Sequence, residues 1–455
     1  MKIPLSVLTM LCALWLSPAS AAEGSLRSNG APTGGANSAS SLLDSRLPTF
    51  GVLLAGADEP LGSNLNGLLD YAREHNPELA ATRYEAEAAQ QRSEAAGALP
   101  DPVLRTELMD ITNQGSTSPR LLPSQTGSTR YLLMQTVPWF GKRDLQHDVA
   151  NAQAAQANGQ VAASWSDLAT RIKQTYAMYY NANASEQLAQ QTLALLDQLE
   201  QTARSRYANG LGQQQDVIRV QVEKTMLKSE LIALQNEAHH NHIRLNALLS
   251  RPVNAPLAEP AQLRAMPPAA KLDEMALLER LRAQNPQLRI ADATIQSSEK
   301  SRDLAYNNRY PGVTLGVAPN QFGSTVRSWD LMVEFSIPLQ QSSRRSQERE
   351  AESMLLASNA RKEALLNQTQ SELSENLAAL DGAHETETLI NTRLLPQAEL
   401  TYQSALVGYQ NGKVDFAMLI EAQKQILKAR QQQLQAQTDM QLRLADIEKL
   451  LGDSL

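Results

Sequence analysis

Apolar residues recur at intervals of four and three over a stretch much longer than the helices of most globular proteins. No proline occurs between Arg143 and Arg206, and the apolar seam of this stretch consists of Val161, Trp165, Leu168, Ile172, Tyr176 and Tyr179. This spacing is typical of a helix that packs in a coiled coil. At 1.5 Å per residue, the predicted helix is roughly 100 Å long.

A second long helix is predicted from about Arg344 to Val407, where leucines keep the same rhythm. Pro396 lies inside this stretch and should kink or split the helix, because proline has no amide proton to donate to the helix ladder. Shorter helices are predicted beside the long ones, at about 64–98, 214–250, 272–308 and 416–451.

Four short segments alternate between apolar and polar residues, which predicts β-strands. The clearest is 328–337, where one face carries Trp329, Leu331, Val333, Phe335 and Ile337. The other three segments are 104–108, 129–137 and 313–317, and Gln135 interrupts the apolar face of the second of these. The strand pattern is that of a sheet with an apolar outer face and a polar inner face.

The chain contains an internal repeat. The segment 68–77 recurs 209 positions later as 277–286, and the segment 207–221 aligns without a gap with 409–423. We therefore divide the chain into repeat 1 at 63–250, a linker at 251–270 rich in proline and alanine, and repeat 2 at 271–455. Each repeat is predicted to contain a helix, two strands, a long helix, a tip turn and a final helix.

The first 22 residues have the pattern of a secretory signal peptide. Lys2 precedes an apolar run through Leu16, small residues follow, and cleavage is expected after Ala21 or Ala22. The only cysteine, Cys12, lies inside the apolar run, so we expect a mature chain without thiol, disulfide or lipid anchor. The segment 23–62 is rich in Gly, Ser, Ala and Asn and is expected to be poorly ordered.

Charge and hydropathy exclude some partners. The net charge of −7 becomes −8 when Lys2 is removed, which argues against binding nucleic acid. Mean hydropathy is −0.36, and no window after the signal peptide approaches the length of a membrane-spanning helix. Membrane insertion would therefore require a β-barrel, which four strands cannot close alone. A dimer with eight strands and a trimer with twelve both satisfy closure.

Several motifs together resemble the TolC or outer membrane efflux protein family over 65–451. They are the Asn-Pro pairs at 76–77 and 285–286, the segment 135–138 leading into Trp139-Phe140-Gly141-Lys142-Arg143, and the two Tyr-x-Asn-Gly turns beginning at 207 and 409. The segment 139–143 most resembles the branch that works with heavy-metal pumps of the Cus and Czc kind.

The resemblance implies a mainly α fold with a small membrane β-barrel and long antiparallel coiled-coil helices that form an α-helical tunnel. Three copies would supply four strands each to a twelve-stranded barrel in outer-membrane lipid, and the tunnel would cross the periplasm. Such homotrimers are passive exit ducts without a cofactor. They serve inner-membrane RND-type pumps through a periplasmic adaptor, also called a membrane fusion protein.

The resemblance also assigns roles to particular residues. Acidic rings at a periplasmic gate would be supplied by Asp415 and Glu421. The turns that contact the adaptor would contain Asn209, Gly210, Gly212, Gln213, Asn411, Gly412 and Lys413. The aromatic girdle of the barrel would contain Tyr131, Trp139 and Trp329, for which ordinary packing is the alternative. Glu421 has the alternatives of pairing with Lys424 or facing solvent.

Other functional classes fit the sequence less well. A metal site is conceivable at three histidines close in the sequence, His239, His240 and His242. Residues one to three positions apart on a helix point in different directions, so a solvated helix face is favoured and we predict no metal ligand. No nucleophile and base stand out as an enzyme site. Two alternatives remain. One is an outer-membrane duct for drugs or for type I protein secretion, and the other is a periplasmic coiled-coil adaptor or structural protein. The solute is chosen by the pump, so the sequence does not name it.

Overall fold

The predicted coiled-coil seams are the interfaces between long antiparallel helices in the computed structural model of the chain. The structure describes residues 61–112, 118, 119 and 121–455, all within the unit Glu59–Leu455. The predicted signal peptide and nearly all of the predicted low-complexity segment lie outside the described residues.

The same order of elements occurs in both halves. Residues before 251 form α1 (Leu65–His75), α2 (Pro77–Ala96), β1 (Val103–Met109), β2 (Ser128–Val137), α3 (Lys142–Ala208) and α4 (Gln214–Leu248). Residues after it form a 3₁₀ turn (Ala269–Lys271), α5 (Glu274–Gln284), α6 (Pro286–Asn307), β3 (Gly312–Phe322), β4 (Thr325–Ser336), α7 (Gln341–Leu389), a π-helical segment (Ile390–Leu394), α8 (Leu395–Gln410) and α9 (Phe416–Leu451).

The two long helices are confirmed. α3 has 67 residues, so it is about 100 Å long. The second long helix is interrupted where the sequence predicts, because Pro396 is the second residue of α8, which begins directly after the π-helical segment that joins it to α7. The wider π turn accommodates the missing amide donor and the proline ring. Among the helices of the described residues, none is both long enough and apolar enough to be a membrane span.

The prediction of single helices at 64–98 and 272–308 is wrong. Each is divided at its Asn-Pro pair, because a residue before proline is pushed to extended backbone angles, as Asn76 is with ψ 121°. The Asn76 side chain caps the next helix by accepting from the amides of Glu78 and Leu79, at 2.9 and 3.1 Å. Its Nδ2 donates to the Leu248 carbonyl at 2.9 Å, as Asn285 Nδ2 does to the Leu450 carbonyl at 2.8 Å.

The four predicted strands form one antiparallel sheet in the order β1-β2-β3-β4. One face is apolar and exposed along its whole width, which confirms the predicted apolar face. Its large side chains are Leu104, Leu133, Val137, Leu315, Val317, Trp329, Leu331, Val333 and Phe335, each between 38% and 80% exposed. We call this set the apolar sheet face.

The opposite face is less polar than the alternation predicts. Leu132, Met134 and Ala318 are buried on it and pack with Met332. Charged side chains surround this small cluster, and Arg130 lies within 4 Å of both Glu107 and Asp330, at 3.7 and 3.8 Å. We call this side the polar sheet face.

The linker 251–270 is fixed to the helices by a buried ion cluster. Glu448 on α9 has a side chain only 2% exposed, and it accepts from Lys173 Nζ of α3 at 2.8 Å. Arg264 of the linker donates to the same carboxylate at 2.7 Å. The cluster therefore joins both repeats and the linker at one point.

Candidate functional site

The two tip turns, 209–213 and 411–415, have the same backbone structure. α3 and α8 each end in a Schellman motif, in which Gly210 and Gly412 take positive φ angles of 69° and 70°. The Leu211 amide donates to the Arg206 carbonyl at 2.8 Å, and the Lys413 amide donates to the Gly408 carbonyl at 2.8 Å. Glycine thus closes the helix in the left-handed region at both turns.

Arg206 joins the two tip turns to each other. Its Nη1 donates to the Gln410 carbonyl at 2.9 Å and its Nη2 to the Leu211 carbonyl at 3.3 Å. The guanidinium also lies 4.8 Å from the centre of the Tyr409 ring, a favourable cation–π distance. Both turns therefore lie side by side, at the end of α3 and α8 that is farthest along the helices from the sheet.

The two predicted gate carboxylates lie on the second turn and the helix after it. Asp415 is the N-cap residue of α9, with an extended backbone and no capping hydrogen bond from its side chain. Asp415 and Glu421 are both exposed. Lys424 pairs with Glu223 at 3.3 Å and not with Glu421, so the pairing alternative for Glu421 is wrong.

The predicted girdle aromatics lie at two levels of the sheet. Tyr131 and Trp329 are at one level of the sheet. The register of β2 with β3 places Tyr131 opposite Pro319, and Pro319 pairs with Trp329 on β4. Trp139 follows β2 and stacks on Tyr310, with ring centroids 5.1 Å apart and planes 8° from parallel. Trp139 therefore has a packing partner where the chain passes from sheet to helix, whereas the Trp329 side chain is 62% exposed.

Comparison with known proteins identifies the family. The family model described as outer membrane efflux protein matches residues 68–251 and 277–453, two segments that follow the repeat and cover well over half of the chain. The chain belongs to the outer membrane efflux protein family. It is an efflux channel of the outer membrane, as the motifs of the sequence imply. No curated protein sequence matches the chain.

Solved channels of this family share the fold. The outer-membrane channel OprN is 21% identical with a TM-score of 0.74, over 86% of this chain and 90% of that one. VceC from Vibrio cholerae is 18% identical with a TM-score of 0.73, over 86% and 96%. CusC is 18% identical with a TM-score of 0.74, over 87% and 93%. At these identities the likeness is one of fold.

Seven residues were predicted to form the adaptor-contacting turns of this efflux protein. Six of them are exposed, namely Asn209, Gly210, Gln213, Asn411, Gly412 and Lys413, and Gly212 is half-buried against Arg206. Asn209 and Asn411 use their side-chain amides to bond the helix carbonyls four residues earlier, at 2.8 and 2.9 Å. The two asparagines therefore stabilise the turns from within.

Sequence reasoning missed the buried groups behind the turns. Tyr409 packs on Phe416 with ring centroids 4.9 Å apart, inside a core cluster shared by α3, α4, α8 and α9. Asp216 is buried in the first turn of α4, and burial raises its pKa, with the negative charge of Asp415 acting in the same direction. The neighbouring sequence does not indicate that Arg206 or Asp216 has a structural role. The partners of these residues come from the other repeat or from across the turn.

The three histidines considered as metal ligands lie on α4. His242 is half-buried and meets Tyr179 edge to face, with ring centroids 6.2 Å apart. Burial lowers the pKa of His242, and the charges of His239 and Arg251 act in the same direction. His242 is therefore a packing residue, and no group of three metal-ligating side chains occurs in the described parts of the chain.

Proposed function

We propose that this efflux protein works as the passive exit duct of a tripartite system, with three copies closing their sheets into one twelve-stranded ring. The observation that carries the proposal is the apolar sheet face, because an exposed apolar surface of this width costs free energy in water. β1 and β4 are the two edges of the sheet, each with an unpaired row of backbone groups. Pairing β4 of one copy with β1 of the next satisfies these groups in lipid.

The dimensions of the apolar sheet face support this assignment. From the level of Tyr131 and Trp329 to Trp139 there are eight residues along β2 and its extension, which is about 26 Å along the strand at 3.3 Å per residue. With a strand tilt of about 35–45°, the corresponding height is roughly 20 Å. The apolar band of outer-membrane proteins is about 25 Å tall and is bordered by aromatic residues. The three aromatic residues are thus candidates for the girdle at the two borders.

Placing a charge on the apolar sheet face should prevent insertion. We expect Val333→Arg to cost about 2–4 kcal/mol in each copy, because Val333 lies midway between Trp329 and the level of Trp139 and arginine near the bilayer midplane is destabilising by this amount. The measurement is the fraction of protein recovered from outer-membrane fractions as a heat-sensitive trimer. Ser328→Arg is the matched control, since it adds the same side chain to the polar sheet face of the same strand. Equal losses for both variants would contradict the proposed orientation of the sheet.

The tip turns are proposed to bind the periplasmic adaptor. They lie at the ends of the helices away from the sheet, both have the Schellman geometry, and Arg206 holds them together as one surface. In this arrangement the adaptor joins the duct to an inner-membrane pump, and the pump selects the solute. Metal cations are the proposed solute class, because the segment 139–143 resembles the branch that serves heavy-metal pumps. Asp415 and Glu421, which are exposed and form no ion pair within the described residues, are compatible with the passage of cations beside this surface.

Photo-crosslinkers at the tip should capture the adaptor. We expect adducts from Gln213 and Lys413, which are exposed, and none from Ser324 in the hairpin between β3 and β4. Adducts are detected by mass spectrometry after crosslinking in intact cells. Capture from Ser324 at the same yield would mean that the orientation of the duct is reversed.

A further inference from the structure

We propose that a cavity between the sheet and the first turns of α3 and α7 binds an oxyanion such as phosphate. The cavity has a volume of about 550 Å³. One wall of the cavity is the end of the sheet, at Thr136, Gly312 and Ser336. The other walls are the first turns of α3 and α7. We call it the junction cavity.

The charges that line the junction cavity have one sign. Lys142 and Arg344 face it from α3 and α7, and no carboxylate is among its lining residues. The nearest acids along these helices are Asp144, which does not line the cavity, and Glu348, which is buried and paired with Arg309. An anion in the cavity would therefore meet two cations and no lining acid, and the nearest acid on the sheet is the exposed Glu334, two residues from Ser336 on the same face.

The two helix starts add positive potential. α3 begins after Gly141 and α7 after Gln340, and neither of these residues caps its helix with a side chain. The first amide of each helix is already bonded, Lys142 N–H to the Trp139 carbonyl at 3.1 Å and Gln341 N–H to the Leu339 carbonyl at 2.9 Å. An oxyanion would therefore bind the amides of the residues that follow, which carry partial positive charge at a helix start. Hydroxyl groups of Thr136, Ser336 and Ser343 line the same space and can donate further hydrogen bonds.

The two cations have unused hydrogen-bonding capacity. Lys142 makes no ion pair with any residue in the part of the chain that the structure describes. Arg344 donates through Nη1 to the Asn308 carbonyl, which orients the guanidinium, but its Nε is buried without a partner. The Nε is enclosed by protein atoms, so an oxyanion in the cavity would bind the accessible part of the guanidinium and the Lys142 ammonium through charge-assisted hydrogen bonds.

The position of the cavity gives it a functional meaning that rests on the proposed function. Thr136 and Ser336 belong to the polar sheet face, which lines the pore when three sheets close. Three junction cavities would then place a ring of positive charge, which we call the positive collar, where the helical tunnel meets the sheet. This ring lies at the opposite end of the tunnel from Asp415 and Glu421. Phosphate bound there would partly neutralise the collar.

Binding of radiolabelled orthophosphate to the purified trimer, measured by equilibrium dialysis in a phosphorus-free detergent, tests the proposal. We expect saturable binding, and we expect Lys142→Gln to weaken it about tenfold or more, the effect of losing one charge-assisted hydrogen bond. Lys142→Arg should retain binding. Lys228→Gln, which removes an exposed charge from α4, is the matched control and should bind as the unmodified protein does.

The outcomes separate this proposal from the proposed function. Absence of saturable binding, or equal binding by Lys142→Gln and the unmodified trimer, would overturn the junction cavity as a site. A third outcome is that the unmodified trimer carries phosphorus that only organic solvent extracts, whereas the Lys142→Gln trimer carries none. This result would support the site, with a lipid headgroup as its occupant. A trimer that conducts ions in bilayers but fails the phosphate test would refute the cavity and leave the duct intact.

Discussion

Replacing Glu448 by glutamine is expected to destabilise the protein by about 3 kcal/mol, at the lower end of the range for a buried ion pair, because it leaves two partly buried cations without their buried counter-ion. The Glu448 carboxylate bonds Lys173 Nζ at 2.8 Å and Arg264 Nη1 at 2.7 Å, and the Lys173 side chain is 10% exposed. The Leu455 amide also donates to Glu448 at 2.8 Å. Loss of the charge therefore affects α3, α9 and the linker at once.

Unfolding of the trimer by urea, followed by helical circular dichroism, measures this effect. Glu385→Gln on α7 is the control, because Glu385 is exposed and makes no ion pair with the residues that the structure describes. A second variant, Glu448→Gln with Lys173→Met, should recover part of the loss, since it removes one uncompensated charge. If Glu448→Gln and Glu385→Gln unfold at the same urea concentration, the ion cluster contributes no net stability.

The cluster also predicts a pH dependence. Burial by itself raises the pKa of Glu448, but Lys173 and Arg264 outweigh it and hold the pKa below the ordinary value of 4.5. A carboxylate with a depressed pKa contributes stability above its ordinary pKa and loses it as the pH falls through the folded value. The unmodified protein should therefore lose stability below about pH 4.5 more steeply than Glu448→Gln does.

Much of the fold could be predicted from the sequence because its signals are local and repeated. The proline-free stretch from Arg143 to Arg206, with its apolar seam, predicts α3 to within two residues at each end. Pro396 predicts the break between α7 and α8, since a proline inside a helix has one physical consequence wherever it occurs. The four strands follow from alternation over segments of five to ten residues.

The missed features depend on contacts between distant parts of the chain. Glu448 meets Lys173 and Arg264 across separations of 275 and 184 residues, and Asn76 meets the Leu248 carbonyl across 172. Nothing near these residues in the sequence indicates a partner. The division of the helix at Asn76 had a local signal, however, because a residue before proline disfavours the helical conformation.

The carboxylates of Asp415 and Glu421 are the proposed charge filter of the duct. They belong to the second tip turn and α9 only, since the residues at the matching positions of the first repeat are Gln213 and Arg219. Neither carboxylate forms an ion pair within the described residues, and Lys424 is held by Glu223. Three copies around an axis would place six carboxylates near the narrow end of the tunnel.

Neutralising both residues should reduce the preference of the channel for cations. In planar bilayers at low salt we expect the unmodified trimer to favour cations, and Asp415→Asn with Glu421→Gln to lower the cation-to-anion permeability ratio by at least about twofold, because fixed charge in a narrow neck sets the local ion concentration. The difference should shrink at 1 M salt, where charges are screened within about 3 Å.

Glu85→Gln with Glu87→Gln is the control for this measurement. These exposed residues lie on α2, the helix that leads to the sheet, so the control removes the same number of charges away from the tip turns. It should leave the permeability ratio unchanged. If the tip variant keeps the ratio of the unmodified channel at low salt, the carboxylates do not filter ions, and selection of cations must then come from the pump alone.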